Sequence, residues 1–327
     1  MPHAGFTWKG RGEVLVSELL ELDSVVKVFA IGFYKKTRIV AVDRVSMSVR
    51  SKEILGLLGE SGSGKSTIAK LVLKILKPTR GAIKYRGRDI WTINTLEYYR
   101  RVQGVFQDPY ATFNPRRKVL DLLIDVLNNY YAREGVEWSK ILKETLSMVG
   151  MDLKEVEGKY PHEFSGGQLQ RLSIARALLV KPEVIVADEP VSMVDASTRI
   201  DILNIFIDLR DYENTSSVII GHDLSLTYYV SDRVVVLYRG QVVEEGPVDI
   251  LQDPAHPYTK MLRESVPRIE SRWTSEMKYS YEAGEHVRQG CVFAHRCPFK
   301  LDTCIKQEPP TITLGRSKVK CWLYTPK

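Results

Sequence analysis

One segment, Gly59-Glu-Ser-Gly-Ser-Gly-Lys-Ser66, constrains this 327-residue chain more than any other. It fits the pattern G-x-x-x-x-G-K-[ST]. A short apolar run at 54–58 precedes it, and helical periodicity over 65–77 follows it until Pro78. Strand, glycine-rich turn and helix in that order build an anion cradle. The glycines let the backbone curl so that successive N–H groups face one phosphate, and the helix N-terminus adds partial positive charge. Gly59, Glu60, Ser61, Gly62, Ser63, Gly64, Lys65, Ser66 and Thr67 are therefore the candidate nucleotide-binding residues. Lys65 is expected to reach the β- and γ-phosphates, and Ser66 to ligate Mg²⁺. The bland alternative is a flexible glycine-serine turn, against which the flanking strand and helix argue.

The surrounding pattern predicts an α/β fold. Alternation at 25–29 and 45–49 suggests antiparallel strands. The stretch 96–179 reads as mostly helical. Apolar strands at 183–187 and 217–220 flank a helix-like stretch at 200–210, an order that implies a parallel sheet. Runs at 234–237 and 241–244 flank Arg239-Gly240 as a hairpin, and 256–267 reads as a short helix. The expected architecture is a mixed-sheet core with an antiparallel β subdomain and a helical subdomain (about 96–179), together spanning 1–267. A small C-terminal extension, 268–327, follows.

Asp188 and Glu189 follow the apolar run 184–187. Carboxylates at the carboxyl end of a buried parallel strand face the ligand crevice. Asp188 is expected to hold Mg²⁺, directly or through water, and Glu189 to polarise the attacking water. An Asp-Glu-Pro turn capping the next helix is the alternative. With 44% hydrophobic and 27% charged residues the chain has ample core. No apolar run approaches the roughly 20 residues of a membrane span, and the N-terminus shows no basic-then-apolar export pattern. The net charge of +7 is concentrated in 268–327, where 11 Lys and Arg stand against 6 Asp and Glu. A nearly neutral body with a basic tail is not a nucleic-acid footprint, so no nucleic-acid partner is expected. It fits an acidic partner, a membrane surface or a bound anion.

The segment Ser165-Gly-Gly-Gln-Leu-Gln-Arg171 resembles the signature motif of ABC-type ATPases. On its own, S-x-x-Q is also a helix capping box, and the two roles are compatible. The resemblance implies a P-loop NTPase of ABC type that forms a head-to-head dimer with composite ATP sites. Ser165, Gly166, Gly167 and Gln168 would act on the partner's ATP. Gln107 matches the glutamine loop that senses Mg²⁺ and the attacking water. Asp195 matches the loop that communicates across the dimer, and His222 the switch histidine at the γ-phosphate. Phe29 stands where the family stacks an aromatic on adenine, with Tyr34 as the fallback. The implied catalytic set is Glu189, His222 and Gln107, and the implied magnesium set is Ser66, Gln107 and Asp188.

The segment Val105-Phe-Gln-Asp-Pro-Tyr-Ala-Thr-Phe-Asn-Pro-Arg116, then His256-Pro-Tyr-Thr259 and the cysteine tail, resemble the ATP-binding subunits of oligopeptide/dipeptide importers. That resemblance implies an ATPase, peripheral at the cytoplasmic face of the cell membrane, that powers import of peptides or related small solutes. The implied partners are two transmembrane permeases, an extracytoplasmic solute-binding protein and a second ATPase, with a heterodimer favoured over a homodimer. Residues 108–135 would help form the groove for short permease helices. The rivals are a soluble ABC ATPase of DNA repair or translation, expected to carry a coiled-coil insertion or two cassettes, and an exporter subunit.

All four cysteines lie in the tail: Cys291, Cys297, Cys304 and Cys321, spaced C-x5-C-x6-C-x16-C. In the reducing cytosol expected for a chain without an export signal, disulfides are not favoured. Four thiolates suit zinc or an iron–sulfur cluster. The C-x2-4-C hairpins of structural zinc are absent, the wider spacing suits a bulkier group, and the resemblance points to a structural [4Fe–4S] cluster. Its charge would be offset by Arg288, Arg296, Lys300, Lys318 and Lys320, with His286 and His295 as spare ligands. Zn²⁺ and reduced buried thiols are the alternatives.

Overall fold

The computed structural model describes residues 18–31, 37–132, 137–265 and 289–325. Tyr34, His286, Arg288 and the boundary near residue 267 lie outside them. The strands are β1 (Glu18–Ile31), β2 (Thr37–Arg50), β3 (Ile54–Leu58), β4 (Arg80–Tyr85), β5 (Arg88–Asp89), β6 (Val102–Val105), β7 (Val184–Asp188), β8 (Ser216–Gly221), β9 (Arg233–Tyr238), β10 (Gln241–Pro247), β11 (Thr311–Leu314) and β12 (Ser317–Lys320). They form a four-stranded sheet, β2-β1-β4-β5, and an eight-stranded sheet, β11-β12-β10-β9-β3-β8-β7-β6.

The two expected antiparallel strands pair as β1 and β2. In the larger sheet β9, β3, β8, β7 and β6 run parallel. Every residue of β3 is buried, as a strand covered on both faces requires, which explains its unbroken apolar run. The crevice at the carboxyl ends of these strands positions the site. There β3 hands over to the glycine-rich loop, β7 ends on Asp188, β8 ends one residue before His222, and β6 ends two before Gln107.

Two local expectations differ from the structure. The helix predicted to run to Pro78 is Lys65–Val72, closed by Leu73. Lys74 adopts a left-handed φ of 56°, and the N–H groups of Lys74 and Ile75 donate back to the carbonyls of Leu71 at 3.2 Å and Lys70 at 2.9 Å, so a local cap rather than the proline ends it. Within the stretch expected to be mostly helical, Val102–Val105 is the edge strand β6, paired in parallel with β7. Four residues are too few to show a period, and only the neighbouring strand makes them extended. The hairpin at Arg239-Gly240 forms as expected, with φ values of 45° and 81°.

The C-terminal hairpin β11–β12 joins the larger sheet through β12, which pairs with β10 at Glu244↔Val319 and Glu245↔Lys318. A shared apolar cluster includes Tyr238 from β9, Tyr258 from the helix Pro257–Glu264, and Phe293, Cys291 and Cys304 from the tail. Among the described residues, no helix is long and apolar enough to cross a membrane.

Candidate active site

The glycine-rich loop is shaped by backbone geometry that side chains would obstruct. Gly64, at the N-cap of Lys65–Val72, has φ 107°, and a Cβ there would lie 2.4 Å from the Ala41 carbonyl oxygen. Lys65 is only 5% exposed. Its Nζ donates to the carbonyls of Gly59 at 2.7 Å and Glu60 at 2.9 Å, the acceptors a buried ammonium requires. Burial pulls its pKa down, against the opposing pull of Glu189, Asp188 and Glu60. Ser63 Oγ is buried without a hydrogen-bond partner. An unsatisfied donor inside this loop fits a ligand that brings its own oxygens.

Beside the loop, Ser66 Oγ donates to Asp188 Oδ1 at 3.3 Å. Burial raises the Asp188 carboxyl, and the hydroxyl hydrogen bond partly offsets the rise. Glu189 follows with φ 48°, a strained conformation for a non-glycine residue. Its N–H donates to the Ile220 carbonyl at 3.0 Å, so the neighbouring strand β8 holds it in place. Gln107 Nε2 donates to Glu189 Oε2 at 3.4 Å, and His222 Nδ1 stands 3.4 Å from Glu189 Oε1. Two residues far apart in sequence thus meet on the carboxylate of a third, next to the hydroxyl–carboxylate pair. A carboxylate held this way can act as a general base toward water. The oxygens of Ser66 and Asp188 are hard donors of the kind Mg²⁺ selects.

Residues 42–192 match the family model for ABC transporters, and residues 243–304 match that for the C-terminal region of oligopeptide/dipeptide transporters. An oligopeptide transport ATP-binding protein, AppF of Bacillus subtilis, is 38% identical across 94% of this chain and 98% of its own. A putative peptide import ATP-binding protein of Brucella abortus is 40% identical across 94% of each. The chain belongs to the ATP-binding subunits of the oligopeptide/dipeptide ABC-transporter family. It is an ATPase. The ABC fold is equally plain in solved structures. A cassette captured as a post-hydrolysis dimer with ADP and Pi has a TM-score of 0.61 at 26% identity, over 70% of this chain and 98% of that one. A cassette in its ADP conformation has a TM-score of 0.61 at 25% identity, over 76% and 99%.

In this ABC subunit the remaining motif residues have clear local tasks. Ser165 and Gln168 form a reciprocal capping box at the start of Gly166–Leu178, with bonds of 3.2 and 3.0 Å. Gly167 is spaced for packing: a Cβ there would lie 2.7 Å from Thr198 Cγ2. Thr198 is in turn tied to Asp195, which caps Ala196–Tyr212 by accepting the Thr198 N–H at 3.0 Å. Hydrogen bonds from Ser197 and Thr198 hold the Asp195 carboxyl down to about 2. Phe29 is half-buried on β1, with Lys27 Nζ 5.3 Å from its ring centroid. Tyr258, within the His256-Pro-Tyr-Thr259 segment, and Arg296, expected only to offset cluster charge, both contact Glu60 at the loop, a placement that neither reading anticipated.

The expectation of a [4Fe–4S] cluster, or of Zn²⁺, at the cysteines is corrected. Cys291, Cys297, Cys304 and Cys321 do line one pocket. Its volume is about 10 Å³, at most the space of a single water. Among the described residues, no group of three or more His, Cys, Asp and Glu side chains could hold a metal ion. Burial pushes the Cys291 thiol up to about 12 and the Cys297 thiol up to about 11, so both are neutral thiols in this packing. Three of the five cations expected to offset cluster charge are engaged elsewhere. Arg296 pairs with Glu60, Lys318 with Glu245 at 2.7 Å and Lys320 with Glu308 at 2.5 Å. The four cysteines are free thiols, and Cys291, Cys297 and Cys304 pack into an aromatic and aliphatic cluster.

Proposed function

We propose that this ATPase drives the import of peptides or related small solutes through a membrane permease. The observation that carries the proposal is the convergence of Gln107 and His222 on Glu189 beside Ser66 and Asp188, in a chain of the peptide-transporter family. Lys65 and the loop N–H groups from Gly62 to Thr67 bind the phosphates. Glu189 takes the proton from the attacking water, with Gln107 and His222 orienting its carboxylate. Ser66, Asp188 and Gln107 hold Mg²⁺, which offsets charge on the β- and γ-phosphates when bound. Phe29 stacks on the adenine.

The partner's ATP is met by Ser165, Gly166, Gly167 and Gln168, with Asp195 relaying between subunits. The second ATPase is a different chain, making a heterodimer. Two permeases, one of whose short helices docks against the segment 108–135, and an extracytoplasmic solute-binding protein complete the assembly at the cytoplasmic face of the membrane. Residues 1–267 serve as the cassette and 268–327 as its extension. The test is purification from membranes followed by peptide uptake in proteoliposomes. Co-purification with two permeases, and ATP-dependent uptake that Lys65→Ala abolishes, are expected. Recovery of the chain on ribosomes or DNA, with no permease, would overturn the proposal.

A further inference from the structure

We infer that Arg296, together with Tyr258, is a positioning residue for the phosphate loop: from the C-terminal side of the chain it grips Glu60 and fixes the loop frame that receives ATP. Arg296 Nη1 donates to Glu60 Oε2 at 2.8 Å and Nη2 to Oε1 at 3.0 Å, across a sequence separation of 236. This two-pronged geometry sets orientation as well as attraction. The Glu60 N–H donates to the Tyr258 hydroxyl at 2.8 Å, across a separation of 198. The Glu60 carbonyl accepts from Lys65 Nζ. The second residue of the loop is therefore held at its amide, its carbonyl and its carboxylate, and two of the three holds come from beyond residue 257.

The gripping side chains are themselves rigid. The Arg296 side chain is 13% exposed, and its guanidinium lies 5.9 Å from the ring centroids of both Tyr238 and Phe293. Tyr238, Tyr258 and Phe293 pack on one another at 4.5 to 5.5 Å. The turn that presents Arg296 is braced by its own backbone: Ala294 N–H donates to Cys291, Arg296 N–H to Phe293, and Cys291 N–H to Cys304. Gly290 rests so closely on that brace that a Cβ would lie 2.3 Å from the Cys304 carbonyl oxygen. The loop itself is tied at Ser63, whose N–H donates to the Glu60 carbonyl at 3.1 Å and whose carbonyl accepts from Gly240 at 2.8 Å, but its tip is open. Nothing lies within 4 Å of a Cβ placed on Gly62. Ordering such a loop before ligand arrives removes an entropy cost from binding. The packed cysteine cluster thereby gains a purpose, since it anchors the turn that carries Arg296.

This inference rests on the chain being an ATPase. The test uses the full-length chain with Arg296→Gln, Arg296→Lys, Glu60→Ala and the Arg296→Gln/Glu60→Ala double variant, with Lys65→Ala as control. Each of R296Q and E60A should raise the KM for ATP about ten-fold while kcat stays within about two-fold. The double variant should be no worse than either single, because both remove one interaction. R296K should recover part of the loss. KM values at the wild-type level in both singles, multiplying effects in the double, or a lysine variant no better than glutamine would overturn it. Should R296Q fail to fold, E60A, which leaves the turn intact, decides alone. A wild-type chain that binds ATP no better than K65A would instead overturn the ATPase assignment, and this inference with it.

Discussion

At the scale of single residues, the proposed chemistry centres on Glu189. Its φ of 48° would be unfavourable in an ordinary turn, and it persists because its N–H is bonded to β8 and its carboxylate to Gln107, with His222 Nδ1 close by. Glu189→Gln keeps the shape and removes the proton acceptor. We expect it to lower kcat by about 10²- to 10³-fold while leaving ATP affinity near the wild-type value, as read by phosphate release and ATP titration. An unchanged kcat would move the base elsewhere. Asp188 and Glu189 were legible in the sequence because a buried parallel strand announces its own carboxyl end. The contacts of Glu60 were not, since nothing near residue 60 signals an arginine 236 residues later.

At the scale of elements, the short helix Pro257–Glu264 shows how a cap can carry a pH dependence. His256 is its N-cap, and the ring Nδ1 accepts the Tyr258 N–H at 3.1 Å, which requires an unprotonated nitrogen. Burial holds the His256 pKa down to about 3. Between its ordinary value near 6.5 and about 3, the unfolded chain binds a proton that the folded chain refuses. Stability from this group is complete above pH 6.5 and is lost as pH falls, by up to about 1.4 kcal/mol per pH unit. Glu244, whose carboxyl burial raises, works in the opposite direction. The readout is therefore the difference between wild type and His256→Asn, which can still accept the Tyr258 N–H. Urea midpoints measured from pH 7 to pH 4 should fall more steeply in the wild type; parallel slopes would refute the assignment. Elements with strong local signals matched expectation, as β3 and the Arg239-Gly240 hairpin did. The strand β6 did not, because four residues take their conformation from the strand beside them.

At the scale of the molecule, the C-terminal hairpin is part of the main sheet rather than a bead beside it. Val319 on β12 is fully buried and pairs with Glu244 of β10. Removing residues 289–325 would bare the β10 edge and strip Tyr238 and Tyr258 of their Phe293 contact. An open edge beside exposed aromatics invites association between chains. We expect the truncated protein to aggregate, and light scattering at matched concentration to detect it. A monodisperse truncated chain with the wild-type melting temperature would show that the cassette does not need its extension.

The sequence by itself determined what acts through adjacent backbone: the glycine-rich anion cradle, the S-x-x-Q cap, the carboxylates at a strand end, and through them the family. These features work within a few residues of each other, so spacing alone carries them. Only the tertiary structure decided what depends on distance across the fold. It brought Gln107 and His222 to Glu189, set Arg296 against Glu60, and packed four cysteines into a space too small for a cluster. Hydrogen bonds and ion pairs lose their grip within a few ångströms, and burial decides whether a thiol or imidazole is charged. Both quantities are fixed by strand order and core packing, which no local spacing encodes.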